Sequence, residues 1–350
     1  MRQIKKTIEL TDEDVNNVIK ALKFKPCTQE GIKGILSYLK QGISIKLEKE
    51  RVLERIKLFD YENPENNEFI VTRQIHYING DERKILDIVL YINGIPLVNI
   101  ECKNPASFSQ SWTDALRDIK SYEKTLPELY KYVQIGVATC EVAKYFPIVP
   151  WEEDFTQVNV GEWKEEGKDS VDAVIQMLSA SNLLDIIQNY IFYRIEFGKA
   201  TKVIARYMQF RAVNRIVKSV IDNLEGKDDK RRGLIWHWQG SGKTLEMIFA
   251  AYKLFHNSKL NNPTIFFIVD RKNLEEQLSE EFNALDITKP EVIDSIETLK
   301  EIIKHDSFRG RRGLFITLVH KFRPEELQKL DTQLKEISKT QETIQTRNNV

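Results

Sequence analysis

A chain that joins two short apolar runs through Asn-Gly has little choice of local fold. Residues 84–92 and 96–103 are such runs, and Asn93-Gly94 joins them. Asn and Gly tolerate the positive φ that the tight turns of β-hairpins require, so an antiparallel hairpin is expected. Three charged residues interrupt it. Asp87 lies on the first run, while Glu101 and Lys103 lie two apart on the second and share a face. A strict two-residue turn pairs Ile92 with Ile95, and so Asp87 with Ile100. Glu101 would then lie on the face opposite Asp87. The three meet only if the loop is odd-numbered or the hairpin carries a bulge. An irregularity is therefore expected, with Gly94 in a left-handed conformation beside a bulge as the simplest form.

The residue types suggest why they would meet. Two carboxylates can hold a Mg²⁺ ion that keeps several waters. Such an ion acidifies a bound water and clamps phosphoryl oxygens. A lysine beside it can orient the attacking water or steady developing negative charge. Asp87 and Glu101 are thus candidate metal-binding and catalytic acids, and Lys103 a candidate catalytic lysine. The plain alternative is three ordinary charges on the wet face of a hairpin, because the pattern is loose. Against it, the VNIECK stretch sets Glu101 and Lys103 in an otherwise apolar strand, where an unpaired charge is costly.

The 350 residues suit two domains or more. Lys and Arg number 52 against 52 Asp and Glu, so any binding of nucleic acid must come from local patches. The cysteines, Cys27, Cys102 and Cys140, are odd in number and not spaced like metal ligands. They read as reduced thiols of a cytoplasmic protein. No apolar run approaches the roughly 20 residues of a membrane span. The first ten residues lack the apolar core of a signal peptide.

Residues 1–60 read as a mainly helical N-terminal part. Thr11-Asp12-Glu13-Asp14 is a helix entry, and two sets of residues fall at helical spacing: Ile32, Ile35, Leu36 and Leu39, then Val52, Ile56 and Phe59. Residues 61–197 hold strands over 68–78, 84–92 and 96–103, a helix over 112–123 and a buried strand over 131–139. That order suits a mixed sheet flanked by helices. Helical periodicity returns over 171–195, and a boundary is expected near residue 198. Residues 198–350 begin with an amphipathic helix over 202–223. Strands over 233–238, 264–269 and 313–318 then alternate with helices over 244–255 and 273–282, the pattern of a parallel α/β domain. The tail over 325–350 is polar and expected to be helical.

Gly240-Ser241-Gly242-Lys243-Thr244, between the strand over 233–238 and a helix, reads as a phosphate-binding loop. Glycines let backbone N–H groups curl around phosphate oxygens at a helix N-terminus. Lys243 would reach the β- and γ-phosphates of ATP, and Thr244 would offer its hydroxyl to Mg²⁺. His237 stands where the first glycine of the full motif would be. Upstream, the Gln209 amide could read adenine through paired hydrogen bonds. No apolar run after Asp270 ends in Asp-Glu. An NTPase of this kind needs an acid for Mg²⁺ and water at the end of a later apolar strand, so the expectation is a chain cut short before that motif, which binds ATP weakly and does not hydrolyse it alone.

Together these stretches resemble the restriction (R) subunit of Type I restriction-modification enzymes, over about residues 60 to 325. The hairpin RKILDIVLYINGIPLVNIECKNP is similar to that family's PD-(D/E)xK nuclease core. IWHWQGSGKT is similar to its helicase-type motif I, IARYMQFRAVNRIV to its adenine-reading Q motif, and FFIVDRKNLEEQL to its motif Ia. The resemblance implies a PD-(D/E)xK sheet followed by a truncated RecA-like domain. It makes Asp87, Glu101 and Lys103 catalytic, Gln209 the adenine contact, and residues 240–244 the phosphate cradle. The family often carries Gln-x-x-x-Tyr on the helix after the hairpin; here Tyr122 matches, but Asp118 replaces the glutamine. The implied function is ATP-driven translocation on double-stranded DNA followed by cleavage, in a complex with modification (methyltransferase) and specificity subunits. A repair-type nuclease-helicase, or a non-catalytic module that binds DNA or partners, are the other readings.

Overall fold

The structure is a computed structural model, and it describes residues 10–49, 51–107, 109–152, 158–196, 198–285, 287–308 and 310–319. The chain forms two compact units, Met1–Phe210 and Arg211–Val350.

In the first unit, helix α1 (Asp12–Lys23) begins with a reciprocal cap. The Asp14 N–H donates to the Thr11 hydroxyl at 3.1 Å, and the Thr11 N–H donates to the Asp14 carboxylate at 3.0 Å. Helix α2 (Gln29–Gln41) buries Ile32, Ile35, Leu36 and Leu39, as their spacing predicts. The helical reading of Val52, Ile56 and Phe59 is wrong. Strands β1 (Ile43–Lys46) and β2 (Leu53–Ile56) pair antiparallel there. Ile43, Ile45 and Leu47 are buried while Ser44 and Lys46 are exposed, so a period of two decides the segment.

The central sheet has the order β3-β4-β5-β6-β7. Strands β3 (Phe69–Asn79), β4 (Glu82–Ile92) and β5 (Ile95–Cys102) form an antiparallel meander. The chain then crosses through helices α3 (Trp112–Thr125) and α4 (Pro127–Tyr130) to β6 (Ile135–Thr139), which pairs parallel with β5. Strand β7 (Ala143–Pro147) returns antiparallel to β6. This is the expected mixed sheet flanked by helices. Ala115, Leu116 and Ile119 of α3 pack with Leu86, Val89 and Ala138 of the sheet. Each large aliphatic side chain buried there stabilises the fold by about 1.5–3 kcal/mol.

Beyond β7 come α5 (Ser170–Met177), α6 (Ala180–Asn189) and an antiparallel pair, β8 (Ile191–Glu196) and β9 (Lys199–Ile204). The helical reading of 171–195 therefore holds only to Asn189. The helix expected over 202–223 starts later, as α7 (Tyr207–Leu224), because residues 199–204 are claimed by the pairing with β8.

The second unit contains α8 (Lys243–Phe255), β10 (Thr264–Val269), α9 (Lys272–Ala284), β11 (Glu291–Val292), α10 (Ile296–Phe308) and β12 (Gly313–Leu318). Its three strands are parallel, in the order β10-β12-β11. Residues 233–238 do not form the expected strand. Leu234 is 91% and Trp236 88% exposed, and among the described residues no strand pairs with them. Apolar content marks a segment fit for a sheet, but only a neighbour with matching N–H and C=O groups makes it a strand. The tail expected to be helical, 325–350, lies outside the described residues. Among them, no single helix is long and apolar enough to cross a membrane.

Candidate active site

The hairpin turn is the tight one that Asn-Gly predicts: φ is 50° at Asn93 and 76° at Gly94, and Ile92 pairs with Ile95. Tyr91 pairs with Pro96, but Leu90 pairs with Val98. Leu97 is the extra residue. The expected irregularity is present, three residues beyond Gly94 and not beside it. From Leu90 onward the register sets Val89 against Asn99 and Ile88 against Ile100. Continued one step further, it sets Asp87 against Glu101.

Hydrogen bonds fix the outcome. The Asp87 N–H donates to Glu101 Oε1 at 3.1 Å, and the Cys102 N–H donates to Asp87 Oδ2 at 2.9 Å. Gln74 Nε2 donates to Asp87 Oδ1 at 2.7 Å. Asn99 Nδ2 donates to Glu101 Oε1 at 3.2 Å, and Asn99 Oδ1 accepts from Tyr130 Oη at 2.6 Å. Glu101 is only 2% exposed. Burial, reinforced by the Asp87 charge, pushes its carboxyl up to about 8.

Lys103 follows β5 directly, and its N–H donates to the Thr139 carbonyl at 2.8 Å, which carries the β5–β6 pairing past Cys102. Its Nζ donates to Asp118 Oδ2 on α3. That bond, together with the charges of Glu101 and Asp87, holds the Lys103 ammonium above its ordinary range. Tyr122, one turn on, donates from Oη to the Ile85 carbonyl at 3.4 Å. Burial, then the Glu101 charge, raises its phenol. The structure thus gathers Asp87, Glu101 and Lys103 at one place, with Asp118 and Tyr122 on the flanking helix.

The glycine-rich segment belongs to the second unit. Gly240 (φ 79°) and Gly242 (φ 83°) adopt left-handed conformations that favour glycine, and Gly242 caps α8. Ser241 is buried, while Lys243 is exposed and Thr244 half-buried. Lys243 Nζ donates to the carbonyls of His237 at 3.0 Å and Trp238 at 2.9 Å. Behind the loop, His237 Nδ1 lies 2.8 Å from Glu246 Oε2. Gln209 belongs to the first unit. It is 3% exposed, and its Oε1 accepts from the Arg206 N–H at 2.9 Å, capping the start of α7.

Residues 2–155 match the model of the type I restriction enzyme R protein N terminus, and residues 208–350 that of the SWI2/SNF2 ATPase. A relative from Methanocaldococcus jannaschii, named provisionally as the endonuclease subunit of type I restriction enzyme MjaVIIIP, is 35% identical over 90% of this chain and 32% of its own. The endonuclease subunit of type I restriction enzyme HindI, from Haemophilus influenzae, is 30% identical over 89% of this chain and 30% of its own. The chain belongs to the family of type I restriction enzyme R subunits. It spans about a third of the length of these curated relatives.

Sequence reasoning missed three groups that shape this R-subunit site. Gln74 and Asn99 carry no motif, although a lone Asn in the apolar stretch PLVNIE was a signal. Tyr130 follows a proline-led turn and is fully buried, with nothing local to announce its bond to Asn99.

Proposed function

We propose that Asp87, Glu101 and Lys103 form a Mg²⁺-dependent DNA endonuclease site of the PD-(D/E)xK type. On this reading the second unit is the start of a RecA-like motor that binds ATP. The observation that carries the proposal is the Leu97 bulge, which sets a buried Glu101 against Asp87 inside an apolar sheet. A structural charge cluster gains nothing from that arrangement, because burying two acids side by side is costly.

The residues fit a hard cation. Both acids offer oxygen donors, and Glu101 is a buried carboxyl whose ionisation a cation would favour. Among the described residues no cluster of three or more His, Cys, Asp and Glu could hold a metal ion, so water would have to complete the shell around an ion held by the two acids. When bound, Mg²⁺ supplies an acidified water and neutralises phosphoryl charge. The chain's own contributions are separate. Asp87 is held by donors on both oxygens, and Lys103, held by Asp118, presents positive charge to the phosphate being cut.

In the motor part, residues 240–244 cradle the phosphates, Lys243 pairs with them, and Thr244 serves the nucleotide's Mg²⁺. Gln209 lies in the first unit, where its amide oxygen caps α7, and on the same reading it is the adenine contact. The substrate is double-stranded DNA, reached by ATP-driven translocation. The partners are the modification and specificity subunits, and the compartment is the cytoplasm.

The test is Asp87→Ala in the full-length chain, assembled with its modification and specificity subunits. DNA should stay uncut while ATP turnover continues, because the acids and the phosphate loop lie in different compact units. Cutting at the wild-type rate would show that the hairpin is not the nuclease site. Asp118 gives a graded check. Asp118→Asn removes the main support of the raised Lys103 ammonium, so the alkaline limb of cleavage should move to lower pH. The rate at neutral pH should fall roughly ten-fold, the lower end of losses from partners that orient a site. A pH–rate profile measures both.

A further inference from the structure

Gln74 is the one residue within β3 with left-handed backbone, at φ 51°. It is neither Gly nor Asn, and it sits within an edge strand, not in a turn. Arg73 pairs with Ile88 and Ile75 with Leu86, so Gln74 stands opposite Asp87. At this level the alternation of faces slips. Leu86 and Val89, three residues apart on β4, both enter the same apolar cluster, where a regular strand would send them to opposite sides. The strain therefore coincides with the acid. Strained backbone persists only where its surroundings hold it, and it gathers at functional sites. Here the strained residue uses its amide to donate to Asp87 Oδ1 at 2.7 Å, while the Cys102 N–H takes Oδ2 at 2.9 Å.

We infer that Gln74 is a positioning residue for the metal site. It fixes the plane of the Asp87 carboxylate, and so decides which lone pairs face Glu101 and a cation held between the two acids. The inference rests on the proposal that Asp87 and Glu101 hold a divalent metal. A carboxylate pinned at both oxygens is pre-oriented, whereas one pinned only by Cys102 can swing about that bond. Groups that orient metal ligands from behind typically contribute 10–100-fold in affinity or activity.

The strain supplies a clean test. Gln74→Gly removes the amide and at the same time suits the backbone, because glycine adopts positive φ without steric strain. Gln74→Asn keeps an amide and tolerates this conformation, but is one methylene too short to reach. Mn²⁺ binding to the full-length chain, followed by electron paramagnetic resonance, is compared in wild type, both variants and Asp87→Ala. Thermal unfolding is recorded alongside, and the Mg²⁺ dependence of cleavage by the assembled complex is measured for each. In Gln74→Gly the Mn²⁺ dissociation constant should rise roughly ten-fold or more, with an unchanged or higher unfolding temperature. Half-saturating Mg²⁺ should rise in parallel, and Gln74→Asn should behave in the same way. If Asp87→Ala abolishes Mn²⁺ binding while Gln74→Gly binds as wild type, Gln74 is a structural kink and the inference is overturned. If Asp87→Ala itself binds Mn²⁺ normally, the metal assignment falls, and the role of Gln74 with it.

Discussion

Glu101→Gln is expected to abolish DNA cleavage and yet to make the protein more stable in alkali. Glutamine keeps the shape of the side chain but cannot carry the negative charge that a metal site requires. Cleavage should fall on the order of 10³-fold, the scale at which preorganised electrostatic groups are felt. Stability follows from the proton. The folded chain holds Glu101 up to about 8, against an ordinary 4.5. Native Glu101 therefore binds its proton more tightly than the unfolded chain does. Its contribution to stability is fully present below about 4.5 and is lost as pH rises through about 8. Gln cannot ionise, so the variant escapes this loss. Each pKa unit corresponds to about 1.4 kcal/mol, so the difference at pH 9 amounts to a few kcal/mol. Calorimetry at pH 5, 7 and 9 without divalent cations checks it. The variant's melting temperature minus the wild type's should grow by roughly 5–10 °C across that range for a unit of this size. A flat difference would mean that Glu101 is ionised in the folded chain across the range.

Lys243→Ala should lower affinity for ATP by roughly 10²–10⁴-fold. In the structure the Lys243 ammonium donates to the carbonyls of His237 and Trp238. A nucleotide must replace those contacts with bonds to phosphate oxygens, which are charged and therefore stronger. Two such bonds at about 1.5–3 kcal/mol each set the range, at about 1.4 kcal/mol per factor of ten. Titration of a fluorescent ATP analogue into the full-length chain measures it. Affinity within two-fold of wild type would remove residues 240–244 from the nucleotide site. On the proposed metal assignment at Asp87 and Glu101, Mn²⁺ binding should be the same in the variant and the wild type, which separates the two ligands.

The hairpin was legible because its information is local. Asn93-Gly94 names the turn, and the alternation on either side names the faces. The need for one extra residue follows from counting, since Asp87 and Glu101 cannot otherwise share a side. The count could not say where the extra residue goes; the register puts it at Leu97. Residues 52–59 misled because Val52, Ile56 and Phe59 match a helical spacing by coincidence, while the deciding signal, Ile43-Ser44-Ile45, lies upstream. Residues 202–204 read as the start of the next helix because nothing local shows that β8 is waiting to pair with residues 199–204. Residues 233–238 have the composition of a strand but lack a neighbour among the described residues. The support behind the acids, Gln74, Asn99 and Tyr130, is assembled from three separate elements, and no spacing rule connects them.

The extra residue at Leu97 turns the site into a matter of parity. Side chains on a strand alternate, so whether two acids on facing strands meet depends on whether the number of residues linking them is odd or even, and not on how long the link is. The turn at Asn93-Gly94 and the bulge are two independent terms of that sum. A relative could lengthen the turn by one and lose the bulge, and the same two carboxylates would still face each other. A single insertion without its counterpart would leave every acid in place along the chain and the sheet intact, but would put the two charges on opposite sides of a wall. For this hairpin, fold and chemistry can thus be uncoupled by one residue of either sign.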